Sequence, residues 1–100
     1  MKRLVIVDQA TWEAAVADHC SGAGFLGNSH FLTLADGRIL AAVDQDKPLP
    51  DGFEKLPLCA DPTPLESKHV KDLSEFGVAS GDTAIKAMQK VSVHHPLFSP

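Results

Sequence analysis

The segment that most constrains the fold reads HFLTLADGRILAAV and spans residues 30–43. Apolar runs flank Asp36 and Gly37, and these two residue types tolerate the positive φ angles that a tight turn between antiparallel strands requires. The segment therefore predicts a β-hairpin. We expect a two-residue turn, with Leu34 opposite Ile39, because a three-residue turn with a bulge at Gly37 would scatter the apolar side chains over both faces.

With that register, one face of the hairpin is wholly apolar, and its residues are Leu32, Leu34, Ile39, Ala41 and Val43. An apolar sheet face has to be buried, so we expect the C-terminal helices to cover it. The other face is mixed, with Phe31, Thr33, Ala35, Arg38 and Leu40. It is either the seat of the first helix or a binding surface, and an apolar stripe through Trp12 favours the first helix.

The N-terminal part of the chain predicts a strand followed by a helix. The continuous aliphatic run at residues 4–7 suits a strand that is covered on both faces. Asp8 or Thr11 can cap a helix that reaches about Cys20, with Trp12 on its apolar stripe. Because a helix of this length permits a right-handed crossover, we expect the first and second strands to be parallel neighbours.

Two more helices are predicted near the C-terminal end, after a linker with two prolines at residues 60–64. A capping box at residues 63–66 opens the first of them, with Thr as N-cap, Pro at the first helical position and Glu at the end. Gly77 ends that helix as a C-cap glycine. Ser80 or Asp82 caps the second helix.

Together these elements predict a single α+β domain over residues 1–100, in the order β-α-β-β(-β)-α-α. It contains the antiparallel hairpin at 30–43 and the two C-terminal helices. The strand in parentheses is a short one near 53–58, which Pro57 confines to a sheet edge. One hundred residues suffice for one hydrophobic core without covalent staples.

Charge and cysteine content narrow the classes of function. The net charge of −4 disfavours a protein that lives by neutralising phosphates. Two cysteines, Cys20 and Cys59, are too few for a disulfide framework. The N-terminal apolar run ends at Asp8 and is shorter than a signal peptide or a membrane span requires. We therefore expect a cytoplasmic protein with reduced thiols and no membrane association.

Patterns that would carry catalysis or cofactor binding do not match their structural context. The glycine-rich stretch at residues 22–27 has the spacing of a dinucleotide-binding loop, but a predicted helix precedes it and a strand follows, which is the reverse of that site. The histidines form no H-x-x-x-H pair and the cysteines no C-x-x-C pair. We expect no catalytic residue, metal or cofactor.

Residues 73–88, LSEFGVASGDTAIKAM, contain a helix end at Gly-Val, a short turn and a second helix that begins with Thr. This pattern resembles the helix-turn-helix of bacterial transcription regulators. The resemblance implies that the helices near 65–91 bind DNA, although the net negative charge disfavours nucleic acid. It also implies which side chains would face the groove or the phosphates, namely Ser80, Thr83, Lys86 and Lys90.

The chain is expected to be a small non-enzymatic protein-binding accessory, that is, an inhibitor, adaptor or regulator that acts by surface complementarity. An acidic loop can dock on a basic partner surface, and Leu97 with Phe98 can add an apolar anchor. The acidic residues of this loop are Asp44, Asp46 and Asp51. The alternatives are the DNA-binding regulator and a small metal- or thiol-dependent enzyme that uses Cys59 or the histidines.

Overall fold

The structure, a computed structural model, describes residues 2–18, 30–44 and 49–95. Its strands and helices confirm the predicted α+β class and element order. In chain order they are β1 (Lys2–Val7), α1 (Gln9–Asp18), β2 (His30–Thr33), β3 (Ile39–Asp44), β4 (Glu54–Lys55), α2 (Ser67–Asp72), a 3₁₀ helix (Ser74–Phe76) and α3 (Ala84–His94).

The four strands form one antiparallel sheet in the order β2–β3–β1–β4. β3 pairs along its whole length with β1, from Lys2 opposite Asp44 to Val7 opposite Ile39. The prediction that β1 and β2 are parallel neighbours is therefore wrong. They run in the same direction, but β3 lies between them, because the hairpin brings its second strand and not its first against β1. The predicted short edge strand is confirmed as β4.

The hairpin at 30–43 forms as predicted, but with a three-residue turn in place of the predicted two-residue turn. Thr33 lies opposite Ile39, so the strands are joined by a longer connection than two residues. The amide of Leu34 donates to the carbonyl of Arg38 at 2.7 Å, which closes a three-residue turn. Gly37 supplies the left-handed residue of that turn, with φ of +92°, and a glycine adopts this conformation without steric cost.

This register places the hairpin side chains differently from the prediction. Leu40 joins Leu32 and Leu34 on one face of the sheet, whereas Ile39, Ala41 and Val43 lie on the other. The predicted all-apolar face is thus wrong in its β3 residues. Both faces are nevertheless apolar, because β3 is covered on both sides and every residue from Ile39 to Val43 is buried.

Helices cover both faces of the sheet. The α2–α3 face packs Leu4, Ile6 and Leu40 against Leu73 of the C-terminal segment and Met88 of α3. The opposite face, here called the α1 face, is covered by α1. Its buried residues are Val5, Val7, Trp12, Ala15, Ile39, Ala41, Val43 and Phe53. As predicted, the C-terminal helices cover the face that carries Leu32 and Leu34, and α1 covers the face that carries Phe31. The prediction is wrong for Ile39, which lies under α1, and for Leu40, which lies under the C-terminal helices.

The helix boundaries near the C-terminal end differ from the prediction. The backbone amide of Leu65 donates to the carbonyl of Asp82 at 2.9 Å, which holds the chain before α2 extended. Glu66 is consequently the N-cap, without a side-chain cap bond, and the predicted capping box does not form. Gly77 ends the 3₁₀ helix in the left-handed conformation, as predicted. Thr83 is the N-cap of α3, not Ser80 or Asp82.

Candidate functional site

A groove of about 410 Å³ lies on the α1 face, between α1 and the hairpin. Its walls are mostly apolar. Its lining residues are Gln9, Trp12, Glu13, Val16 and Ala17 from α1, Phe31 and Thr33 from β2, and Ile39 from β3. Apolar clefts of this size commonly bind small-molecule ligands, and exposed apolar surface also marks sites of contact with other proteins.

The start of α1 fixes one wall of this groove. Asp8 follows β1 directly, and its carboxylate accepts the amide of Thr11 at 2.7 Å and the hydroxyl of Thr11 at 2.9 Å. These two hydrogen bonds lower the pKa of Asp8 below its usual value, the backbone bond having the larger effect. Asp8 is therefore the predicted helix cap, and the immediate turn from strand to helix lays Trp12 onto the sheet.

Trp12 contacts two phenylalanines that differ in burial. Its ring centroid is 5.2 Å from that of Phe31 and 6.3 Å from that of Phe53, and both pairs are tilted. Phe53 is 8% exposed and Trp12 is 5% exposed, whereas Phe31 is 51% exposed. Phe31 therefore rests on a buried aromatic ring while half of its own surface stays in contact with solvent.

The small side chains of α1 explain why the groove is open. The helix sequence is QATWEAAVAD, and after Trp12 the residues that pack against the sheet are Ala15 and Val16. Val16 and Ala17 line the groove opposite Phe31 and Thr33, and they are too short to close it. A larger residue at Ala17 would reach further across this gap.

The structure describes few of the residues predicted to bind a partner. Asp46, Leu97 and Phe98 lie outside the described residues, and Asp44 is described in its backbone only, as the last residue of β3. Asp51 is exposed, in a turn that also contains Gly52. It does not line the groove. The sequence places Phe31 on the mixed hairpin face, which is expected to be either the seat of the first helix or a binding surface. A signal for the groove is the aromatic residue on a strand that faces the short side chains of α1.

The residues implied by the helix-turn-helix resemblance lie along one loop and one helix. Ser80 is exposed, Thr83 precedes α3, and Lys86 is exposed on α3. Lys90 instead contacts the loop before its own helix. Its ammonium donates to the carboxylate of Asp82 at 2.6 Å and to the carbonyl of Gly77 at 3.1 Å. A phosphate would have to compete with that carboxylate, and DNA binding stays a prediction.

Cys59 and His69 are buried in or beside the core, where a thiol or imidazole has little access to substrate. Burial raises the pKa of the Cys59 thiol, whose Sγ atom lies 3.6 Å from Sδ of Met88. Nε2 of His69 lies 3.2 Å from Oε1 of Glu54, which also receives the ammonium of Lys68 at 2.6 Å. Hydrogen bonding to Lys68 lowers the pKa of Glu54. Within residues 2–18, 30–44 and 49–95, no group of three or more His, Cys, Asp or Glu side chains is arranged to hold a metal ion.

Compared with known protein families, with curated proteins and with solved structures, the chain matches none of them. None of the helices in the described part of the chain is both long enough and apolar enough to cross a lipid bilayer.

Proposed function

We propose that this chain is a small protein-binding accessory domain, an inhibitor, adaptor or regulator, and that the groove between α1 and β2 is its contact surface. The observation that carries the proposal is the position of Phe31. Its ring is held against the buried Trp12, yet half of it is exposed at the mouth of an apolar groove. Aromatic side chains in such positions are enriched among the residues that dominate protein–protein binding energy.

The energy that this side chain offers is substantial for a domain of this size. A phenylalanine buries roughly 200 Å² when it is fully covered, so the exposed half of Phe31 presents roughly 100 Å². Covering that area would contribute roughly 2–3 kcal/mol, before the costs of association. Because Trp12 already fixes the ring, its ordering adds little to those costs.

The acidic residues would act on the rate of encounter with a partner. With a net charge of −4, the domain attracts a basic surface, and the exposed Asp51 is placed to contribute. We propose the same role for Asp44 and Asp46, and an apolar contact for Leu97 and Phe98. Replacing the three aspartates by asparagine should slow association and weaken its salt dependence. Unchanged association kinetics in that triple variant would contradict the steering role.

The test is affinity capture from a lysate of the source organism with three forms of the protein. We expect the wild type to retain one protein in stoichiometric amount and Phe31→Ser to lose it. The matched control is Val93→Ser, since Val93 is the other large apolar side chain exposed in the described part of the chain, at 80%, and lies on α3. Circular dichroism and thermal unfolding establish that each variant is folded.

The pattern across the variants decides the matter. Loss with Phe31→Ser and retention with Val93→Ser places the contact at the groove. Equal retention by both variants would contradict the proposal, and nucleic acid as the retained species would favour the DNA-binding alternative instead.

A further inference from the structure

The groove adjoins an edge of the sheet. β2 pairs with β3 on one side, and within residues 2–18, 30–44 and 49–95 no strand pairs with its other side. Natural proteins commonly protect such edges by keeping the strand short or by placing lysine, proline or an inward-facing charge on it. β2 is short, at four residues, but its sequence HFLT contains no lysine, proline or acidic residue.

The hydrogen bonds of the hairpin show which backbone groups of β2 point outward. The amide of Leu34 donates to Arg38, and its carbonyl accepts from the amide of Gly37 at 2.9 Å. Leu34 therefore faces the opposite strand. Backbone groups alternate in direction along an antiparallel strand, so Leu32 also faces β3. The amides and carbonyls of Phe31 and Thr33 consequently point away from β3, towards the outer edge.

The same two residues line the groove with their side chains. Phe31 lies opposite Ala41 and Thr33 opposite Ile39, which places both side chains on the α1 face. An extended segment beside β2 could hydrogen-bond to Phe31 and Thr33. Because side chains alternate along a strand, every second residue of that segment would also lie over the groove. A helix at this position would leave the outward backbone groups unpaired.

The charge of the groove selects the side chains that such a segment would carry. Among the lining residues Glu13 alone is charged, and it is exposed on the rim. Gln9 donates to Oε1 of Glu13 at 3.3 Å, which leaves the carboxylate open to a cation. The walls around it are apolar, so an aliphatic or aromatic side chain with a Lys or Arg nearby is the complementary pattern.

The geometry points to strand addition as the binding mode: β2 accepts an extended segment of a partner protein, with an apolar side chain of that segment in the groove and a basic one at Glu13. This inference rests on the proposed function, since it specifies how the same groove would bind. It identifies the partner element by its chemistry, as an extended apolar and basic peptide strand.

The test uses the full chain and a library of random twelve-residue peptides displayed on phage. A selected peptide is synthesised and titrated while the fluorescence of Trp12, the single tryptophan, is recorded. The decisive variant is Thr33→Pro, which removes one outward amide, and an edge strand tolerates proline there. Thr33→Val is its matched control, because it keeps the amide and the branched shape.

We expect Thr33→Pro to weaken peptide binding about tenfold and Thr33→Val to change it less than about twofold. N-methylation of alternate peptide amides should abolish binding, whereas N-methylation of the intervening amides should leave it intact. Glu13→Gln should weaken binding of a selected basic peptide about threefold. Thermal unfolding of Thr33→Pro verifies that the sheet is retained.

Several results would overturn strand addition. Equal affinity of the two Thr33 variants would do so, as would protection of the Phe31 and Thr33 amides from hydrogen exchange in the unbound monomer. A wild-type dimer that Thr33→Pro converts to a monomer would assign the edge to a second copy of this chain. If Phe31→Ser loses the captured partner and Thr33→Pro retains it, the groove binds protein but not by strand addition. If Phe31→Ser also retains it, both proposals are wrong.

Discussion

The two faces of the sheet are built from the same strands but are closed to different degrees. On the α2–α3 face, large side chains such as Leu4, Leu40 and Met88 are at most 1% exposed. On the α1 face the fully buried strand residues are smaller, as at Val5 and Val43, and one helix leaves a groove beside it. The α2–α3 face is therefore closed by large, fully buried side chains, whereas the α1 face keeps an open groove beside its helix.

The two faces also differ in the polar contacts of their helices. Arg38 links the hairpin turn to α2, with its guanidinium 2.7 Å from Asp72 and 2.6 Å from Asp36. Asp82, on the loop that leads into α3, forms an ion pair with Lys90 of that helix. These ion pairs fasten the elements of the α2–α3 face at their rims. The described side-chain hydrogen bonds of α1 lie within the helix and its cap, and the helix packs on the sheet through apolar side chains.

The largest expected effect compares a fully buried position on the α2–α3 face with a partly open position beside the groove on the α1 face. Leu73 is completely buried, and Leu73→Ala should lower the free energy of unfolding by about 4 kcal/mol through lost burial and the cavity that remains. Val16→Ala on the α1 face should cost less than about 1.5 kcal/mol, because Val16 is only partly buried. Urea denaturation measures both values. Similar decreases in the free energy of unfolding for the two variants would contradict the difference in closure between the two faces.

The sequence predicted the existence of the hairpin but not its register. Its criterion was to gather apolar side chains on one face, and this criterion fails when both faces are buried, as they are at Ile39 and Leu40. The turn has three residues, with Gly37 in the left-handed conformation. Burial of both faces comes from β1 beside β3 and from helices on either side of the sheet, which local sequence patterns do not report.

Local chemistry was a sound guide where no tertiary contact opposed it. Asp8 caps α1 as predicted, because its side chain needs only Thr11 nearby. The capping box at 63–66 failed because Leu65 bonds to a loop seventeen residues away in sequence, at Asp82. The groove is likewise only partly predictable from local sequence. The apolar stripe of α1 predicts that the helix packs on the sheet, but the exposure of Phe31 follows from the register of β2 and from the small size of Ala17.

A smaller effect on the free energy of unfolding is expected at Asp82, at the rim of the α2–α3 face, and this effect depends on pH. Hydrogen bonding to Lys90 lowers the pKa of Asp82 below its usual 3.8, and the amide of Ala79 at 2.9 Å acts in the same direction. A carboxyl whose pKa is lower in the folded than in the unfolded protein stabilises the fold above the unfolded pKa. That contribution is lost as pH falls through the folded value.

Asp82→Asn should therefore lower the free energy of unfolding by about 1–2 kcal/mol between pH 5 and 7, and the gap to the wild type should narrow below about pH 4. Urea denaturation across this pH range measures the gap. Asp51→Asn, in an exposed turn, serves as the control and should change stability by less than about 0.5 kcal/mol. A gap that stays constant down to pH 3 would show that the charge of Asp82 adds nothing to the fold.

The smallest expected effect on the free energy of unfolding is at Phe31. It distinguishes the two phenylalanines that contact Trp12, of which one packs in the core and the other is proposed to contact a partner. Phe31→Ala should cost about 1 kcal/mol, because it removes one tilted contact with Trp12 from a half-exposed position. Phe53→Ala also removes a phenylalanine ring that contacts Trp12, but from a buried position. It should lower the free energy of unfolding by about 3–4 kcal/mol. Thermal and urea unfolding of both variants provide the comparison. If the two costs were equal, Phe31 would be a core residue and not a contact residue. A small cost at Phe31 together with loss of the bound partner would mean that this ring contributes mainly to binding and little to the fold.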